Sequence, residues 1–323
     1  MEGIKGYGAE GEWGGQRRMC RLDIHADDYA LSPNTSEDIL QCLRAGKLNS
    51  VSVLTNMTCY RAYAEKFQRE KAAWPRLPLL TVHLNFIEGH CAARPEEVRH
   101  LTDKQGYFNI TWGDLFRWNY SPKMFMTIKK ELKAEIKAQT ELFREQFGED
   151  MPLRFDGHQH TQMLPICYWA LLEVIVEQRY RTEYIRITKE PILPYIKRLP
   201  LWKSYKGINW IKNLLLNFYA LGMERTIEKN RPSWQAENPP MFLWGVVMSG
   251  HMNTERVEAL LPYMKKQAQD RSRCLEILFH PGRLLADEMG EEFVNRDANK
   301  FYLSENRQIE CKAVMSLLAE ELG

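Results

Sequence analysis

Three short strings constrain what this chain can fold into: DIHADDYALS at Asp23–Ser32, TVHLNF at Thr81–Phe86 and FDGHQHTQMLP at Phe155–Pro165. Each reads as a strand running into a loop, and each delivers carboxylates or imidazoles at that end. Strand ends this far apart in sequence can converge at one rim of a parallel barrel. Asp and His from separate strands are the donors that a catalytic divalent metal with an open coordination position requires. The strings therefore point to a metal-dependent hydrolase.

The segments between them agree with a parallel sheet. Arg21–Ile24 starts a strand that is expected to stop at Asp27–Asp28, and Ser36 is a plausible cap for a helix through Leu43, which Gly46 ends. Val51–Leu54 reads as a second strand, Tyr60–Lys71 as a helix and Leu77–Leu84 as a further strand. Lys123–Phe147 is the strongest helix, with Ile128, Leu132, Ile136, Leu142 and Phe143 at helical spacing. A helix over Ile166–Gln178 and strands at Tyr184–Ile187, Met241–Val247 and Leu275–Phe279 continue the alternation. Strand and helix alternating at this spacing make βαβ units, so the fold class is α/β. One elaborated barrel spanning 21–323 fits better than two domains, with residues 1–20 as a flexible extension. An aromatic-rich insertion at about 201–240, with Trp202, Tyr205, Trp210, Phe218, Tyr219 and Trp234, breaks the pattern. Core packing is the preferred reading of these rings, and a platform for sugar rings the other.

Charge balance narrows the partners. Lys and Arg number 44 against 42 Asp and Glu, a net +2, which gives no reason to propose nucleic acid or an anionic membrane. Lysines and arginines interleave with the aromatic segment, a pattern that also suits single strands, but the near-neutral chain argues against it. The longest apolar stretch, near Leu214–Leu221, is too short to span a bilayer, and the Gly-, Glu- and Arg-rich start predicts no secretory leader. Seven dispersed cysteines read as reduced thiols of a cytoplasmic protein.

Taken singly, each site residue has a plainer reading. Asp27–Asp28 suits a solvated turn, and His83 a satisfied core histidine. Adjacent residues of a strand point to opposite faces, so both aspartates can share one pocket only where the strand gives way to a loop. Two adjacent carboxylates there divide most economically into one metal ligand and one general base. His158 and His160 form an HxH pair that would share one face of an extended segment. His280 follows another buried run, Ile277–Phe279. Their coincidence at four strand ends favours a site.

In order along the chain, HADDYALS, TVHLNF, FDGHQHTQMLP, GVVMSGHMN and ILFHPGR resemble the YdjC-like carbohydrate deacetylases, the family of the chitooligosaccharide deacetylases. The resemblance runs from about Arg21 to the end. It implies a distorted TIM-like (βα) barrel related to the NodB-type polysaccharide deacetylases, with a divalent metal held by Asp28, His83 and His158. It makes Asp27 the general base and His280 the acid or oxyanion partner. His25, His160, Arg186 in IRITKEP and Arg283 in ILFHPGR become candidates for substrate binding. Two positions depart from the family: His25 stands where Asn is usual, and Gln162 where a further histidine is usual. Both are expected to line the cleft, so they bear on sugar specificity more than on metal binding.

The implied reaction is hydrolysis of an N-acetylated amino sugar or oligosaccharide. The metal would polarise the acetamide carbonyl and acidify a water, with Asp27 taking its proton. Two imidazoles favour zinc, with magnesium, manganese or cobalt as alternatives. Other readings are a metal-dependent amidohydrolase or phosphoesterase, or a carbohydrate-binding homologue without turnover. A homodimer is left open.

Overall fold

The computed structural model describes residues 22–198, 201, 205–234, 240–294 and 296–317. The expected N-terminal extension and Trp202 lie outside these residues, as does the side chain of Trp234. In chain order the main elements are β1 (Leu22–Tyr29), α1 (Pro33–Arg44), β2 (Ser50–Val53), α2 (Tyr60–Glu70), β3 (Leu79–Leu84), α3 (Trp112–Asn119), α4 (Pro122–Phe147), β4 (Leu153–Gly157) and α5 (Pro165–Gln178). There follow β5 (Thr182–Ile185), α6 (Leu193–Lys197), α7 (Gly207–Trp234), β6 (Met241–Trp244), α8 (Thr254–Asp270), β7 (Cys274–Phe279), α9 (Arg296–Tyr302) and α10 (Glu305–Ser316). No helix among the described residues is long and apolar enough to cross a membrane.

The seven strands among the described residues are all parallel, in the order β5-β4-β3-β2-β1-β7-β6. The sheet curls into the distorted barrel expected. No ladder joins the edge strands β5 and β6, but the Leu243 N–H donates to the Lys189 carbonyl at 3.0 Å and bridges the gap.

The strands alternate apolar and polar residues. Ile24 and Ala26 of β1, Val51 and Val53 of β2, and Val82 and Leu84 of β3 are buried in one large hydrophobic cluster with Ile39, Leu43, Leu132 and Ile136 of the surrounding helices. Each of the valines, leucines and isoleucines contributes roughly 1.5–3 kcal/mol by leaving water. α5 is apolar nearly all round: the consecutive residues Ile166, Cys167 and Tyr168, which face different sides of the helix, are all buried in that same cluster. The alternate positions, Asp23, His25, Asp27, Ser50, Ser52, His83 and Asp156, are just as buried and are linked to one another across the barrel by short polar contacts, while Glu276 accepts from the Tyr184 hydroxyl and pairs with Arg186. Near-continuous hydrophobic strands are the norm for parallel sheets covered on both faces. Here the barrel interior is a polar, charged core, and the candidate site sits on top of it.

The caps explain how the first loop is held. Ser32, not Ser36, caps α1: its Oγ accepts from the Thr35 N–H at 3.3 Å, and Pro33 occupies the first helical position. Ser36 Oγ instead accepts from the Ala30 N–H at 3.0 Å and donates to the Ser32 carbonyl at 2.7 Å, pinning the loop that carries the aspartates.

Candidate active site

β1 does not stop at the two aspartates but continues through them to Tyr29, and it does so with a defect. Asp28 and Ala30 have φ of 72° and 69°, and the pairing of β1 with β2 shifts register between Ala26 and Tyr29. Left-handed backbone at an aspartate is tolerated because its short polar side chain bonds locally. The twist turns Asp28 to the same side as Asp27, so both line one cavity.

The HxH pair is presented differently from expectation. β4 ends at Gly157, and His158–Met163 forms a tight 3-10 turn in which Gln159 and His160 have φ of 54° and 62°. The histidines thus leave a turn, not an extended face. Gly157 allows this turn: a Cβ there would lie 2.7 Å from Gln162 Oε1 and 3.0 Å from its backbone nitrogen.

Asp28, His83 and His158 converge, each offering one ligand atom, with these atoms within 4.8 Å of one another. Asp28 Oδ1 lies 2.9 Å from His158 Nδ1 and 3.4 Å from His83 Nε2. The second nitrogen of each imidazole is already engaged. His83 Nδ1 lies 2.6 Å from Asp156 Oδ1, and His158 Nε2 lies 2.6 Å from the Tyr302 hydroxyl. These outer contacts fix the rings so that His83 Nε2 and His158 Nδ1 face the same point. His83 Nε2 is buried with no hydrogen-bond partner among the described residues. A buried orphan nitrogen aimed at a carboxylate and a second imidazole fits a divalent cation.

Charge is arranged around this point. Burial opposes ionisation of Asp28, but His158 and the Arg307 guanidinium, whose Nη1 donates to Asp28 Oδ2 at 2.8 Å, hold it well below the usual carboxylate range. Burial likewise opposes ionisation of Asp27, and Arg186 and His83 overcome it, so its carboxyl is also held well down. Burial would strip the proton from His83, yet the Asp156 and Asp27 carboxylates raise its pKa to about 10. His158 is lowered, because burial is only partly offset by Asp28.

Arg186 organises the layer beneath. Fully buried, it places Nη1 at 3.0 Å from Asp27 Oδ1 and 2.7 Å from Asp156 Oδ2, and Nη2 at 2.7 Å from Glu276 Oε1. It ties β1, β4 and β7 together and is out of reach of a sugar. His25 is also below the pocket, between Ser50 Oγ at 2.6 Å and Ser52 Oγ at 2.7 Å, with Nε2 3.1 Å from Asp27 Oδ1. Gln162 is buried with its Nε2 3.4 Å from the Arg186 carbonyl. The expectation that His25, Gln162 and Arg186 face the cleft is therefore corrected: His25 and Arg186 hold Asp27 from below, and Gln162 lies against the Arg186 backbone. Arg283 is corrected too, since it pairs with Glu305 on the outer surface.

The cavity itself measures about 280 Å³ and is lined by Asp27, Asp28, His158, His160, Lys212, His280 and Tyr302 among others. His280 enters from the end of β7, its backbone N–H donating to Glu310 Oε2 at 2.7 Å. His160 is held well below its ordinary pKa by burial and by Lys212. Lys212, from the aromatic-rich insertion, is pushed down to about 8 by burial. A larger groove of about 470 Å³ lies at the opposite end of β6 and β7, but Glu224 already pairs two of its cations, Lys189 at 2.7 Å and Arg273 at 2.5 Å.

Sequence reasoning missed Asp156 as the partner of His83, together with Tyr302, Arg307 and Glu310 of the C-terminal helices. Arg307 and Glu310 are both fully buried on α10 beside Cys311 and Val314. Opposite charges three residues apart on the apolar side of a helix were the available signal.

The YdjC-like protein family profile matches residues 21–321. Among curated relatives, a carbohydrate deacetylase from Xenopus laevis is 24% identical over 84% of this chain and 83% of its own length. One from Danio rerio is 30% identical, over 56% of this chain and 53% of its own length, so that alignment spans about half of the relative. A solved structure of a proposed cellobiose-phosphate cleavage protein from Enterococcus faecalis superposes with a TM-score of 0.58 at 17% identity, covering 94% of this chain and 93% of that one. That likeness concerns the fold alone.

Proposed function

Since the chain belongs to the YdjC-like family, we propose that it is a metal-dependent hydrolase removing the N-acetyl group from an amino sugar or oligosaccharide and releasing acetate. The observation that carries this reading is the division of labour at the rim. Asp28, His83 and His158 form one donor cluster, and Asp27 stands beside it, bonded to Arg186 and left out of it. The three donors would hold a divalent ion, zinc being favoured by two imidazoles. Such an ion supplies Lewis acidity toward a carbonyl oxygen and toward a bound water.

The remaining roles belong to the protein's own groups. Arg186 keeps Asp27 ionised through the neutral range, so its carboxylate is available to accept a proton from the attacking water. His280, on another wall of the cavity and with Nδ1 3.4 Å from Glu310 Oε2, is the group we assign to protonate the leaving amine. Asn209, Ser249, His160 and Lys212 offer hydrogen bonds to a polar ligand. At about 280 Å³ the cavity falls just below the usual span of ligand sites, about 300–1,000 Å³, and suits one sugar unit with its acetamide. A cytoplasmic location is part of the proposal, on the scattered cysteines of the sequence.

Acetate release from a panel of N-acetylated mono- and oligosaccharides, run beside phosphoesters, tests the reading. Acetate from at least one sugar and no phosphate from any ester is the expected result. Glycan binding without acetate would favour a non-catalytic binding protein, and phosphate release would favour a phosphoesterase.

A further inference from the structure

α7 has two unlike faces. Toward the barrel, Asn213 and Ala220 are fully buried, and Asn209 and Lys212 reach the catalytic cavity. Away from it, Ile208, Ile211, Leu214, Phe218 and Leu221 are 52–68% exposed. Over residues 207–223 the sole charged residue is Lys212, which faces the cavity. Charge depletion with large apolar and aromatic groups marks the centre of protein interfaces.

The spacing of this stripe says what fits it. Ile208, Ile211 and Leu214 are mirrored by Leu215, Phe218 and Leu221 about the point between Leu214 and Leu215, Leu215 itself being half-buried. A two-fold axis through that point sets a second copy of the helix antiparallel, with Ile208 of one copy against Leu221 of the other and Ile211 against Phe218. Such self-complementarity is what an isologous contact demands. The exposed parts of the five side chains amount to roughly 600 Å² on one copy and about 1,200 Å² on two, the lower bound for specific, stable interfaces. A patch of this size is also at the upper end of what monomers leave exposed. Tyr120, 60% exposed and hydrogen-bonded through its hydroxyl to that of Tyr219 at 2.6 Å, extends it.

We propose that α7 is the surface through which two copies of this chain pair, antiparallel about a two-fold axis between Leu214 and Leu215. The opposite face of the same helix carries Asn209 and Lys212, so pairing also holds one wall of the catalytic cavity.

Light scattering on the full chain during gel filtration tests this directly. Wild type is expected at twice the chain mass, and Ile211→Glu/Phe218→Glu at the single-chain mass, because four carboxylates would then face one another across the seam. Leu214→Cys, which adds no charge, is expected to form an inter-chain disulfide on mild oxidation where wild type does not. Wild type at single-chain mass at all concentrations would overturn the proposal, as would a double variant that folds cooperatively and stays dimeric. Monomeric wild type that co-sediments with lipid vesicles would assign the stripe to a membrane surface instead. Mass and cross-linking are read without substrate, so failure of the deacetylase reading leaves this test intact.

Discussion

Replacing Asp156 with Asn probes the support of the proposed metal centre without touching a proposed ligand. Asp156 is fully buried and bridges three groups: His83 Nδ1 at 2.6 Å, Arg186 Nη1 at 2.7 Å and the Ser52 hydroxyl. An amide has one oxygen where the carboxylate has two, so one side must now receive an NH2. Charge-assisted bonds to arginine are the stronger, so the oxygen is expected to stay with Arg186 and Ser52. The NH2 then faces His83 Nδ1, which must become an acceptor, and the ring proton moves to Nε2, where the metal would bind. Loss of such an outer partner typically costs about 10–100-fold in metal affinity. Breaking a buried charge pair costs about 3–5 kcal/mol, and the low end applies because Arg186 keeps Asp27 and Glu276. At about 2 °C per kcal/mol for a large chain, the metal-free melting temperature should fall by roughly 6 °C. Zinc titration against a chromogenic chelator, with melting of metal-free protein, reads both quantities. A variant that melts lower yet binds zinc within twofold of wild type would refute the tautomer argument and leave Asp156 a purely structural residue.

Other outcomes follow from the same geometry. Asp28→Ala, His83→Ala and His158→Ala are each expected to purify folded but without stoichiometric metal; wild-type metal content in any of them would exclude that residue as a ligand. Tyr302→Phe removes the partner of His158 Nε2 and should weaken metal binding about tenfold with little change in melting, measured by the same chelator competition. Trp210→Ala should act on stability, because the ring packs edge-on against Tyr195 and Tyr205 at 5.5 and 6.0 Å; being half-buried, it should cost about 2–3 kcal/mol, below the roughly 3–5 of a core Trp. A raised KM with unchanged melting would instead make it a sugar platform.

Much of this arrangement was legible in the sequence. Element order and the meeting of β1, β3, β4 and β7 at one rim follow from strand–helix alternation. The core reading of the aromatic insertion holds for Tyr205 and Trp210, but not for Phe218, which is exposed. The period-2 pattern of Asp23, His25 and Asp27, with Ser50 and Ser52 on the neighbouring strand, specifies a polar barrel interior and went unread. What could not be read was backbone conformation at single residues. The positive φ of Asp28 and the turn at Gln159–His160 depend on tertiary bonds, and without them strand rules put the adjacent aspartates on opposite faces. Long-range partners such as Arg307 have no local motif; only their burial on α10 discloses them.

The proposed chemistry requires Asp27 to be the base and not a ligand. Asp27→Asn keeps the shape of the side chain and removes its ability to take a proton. Metal content and the kcat for acetate release should be measured on the same preparation. Bound metal at the wild-type level with kcat lowered on the order of 10²–10⁴-fold is the expected result. Near-normal acetate release would contradict the assignment, and loss of the metal would show that Asp27 belongs to the donor set.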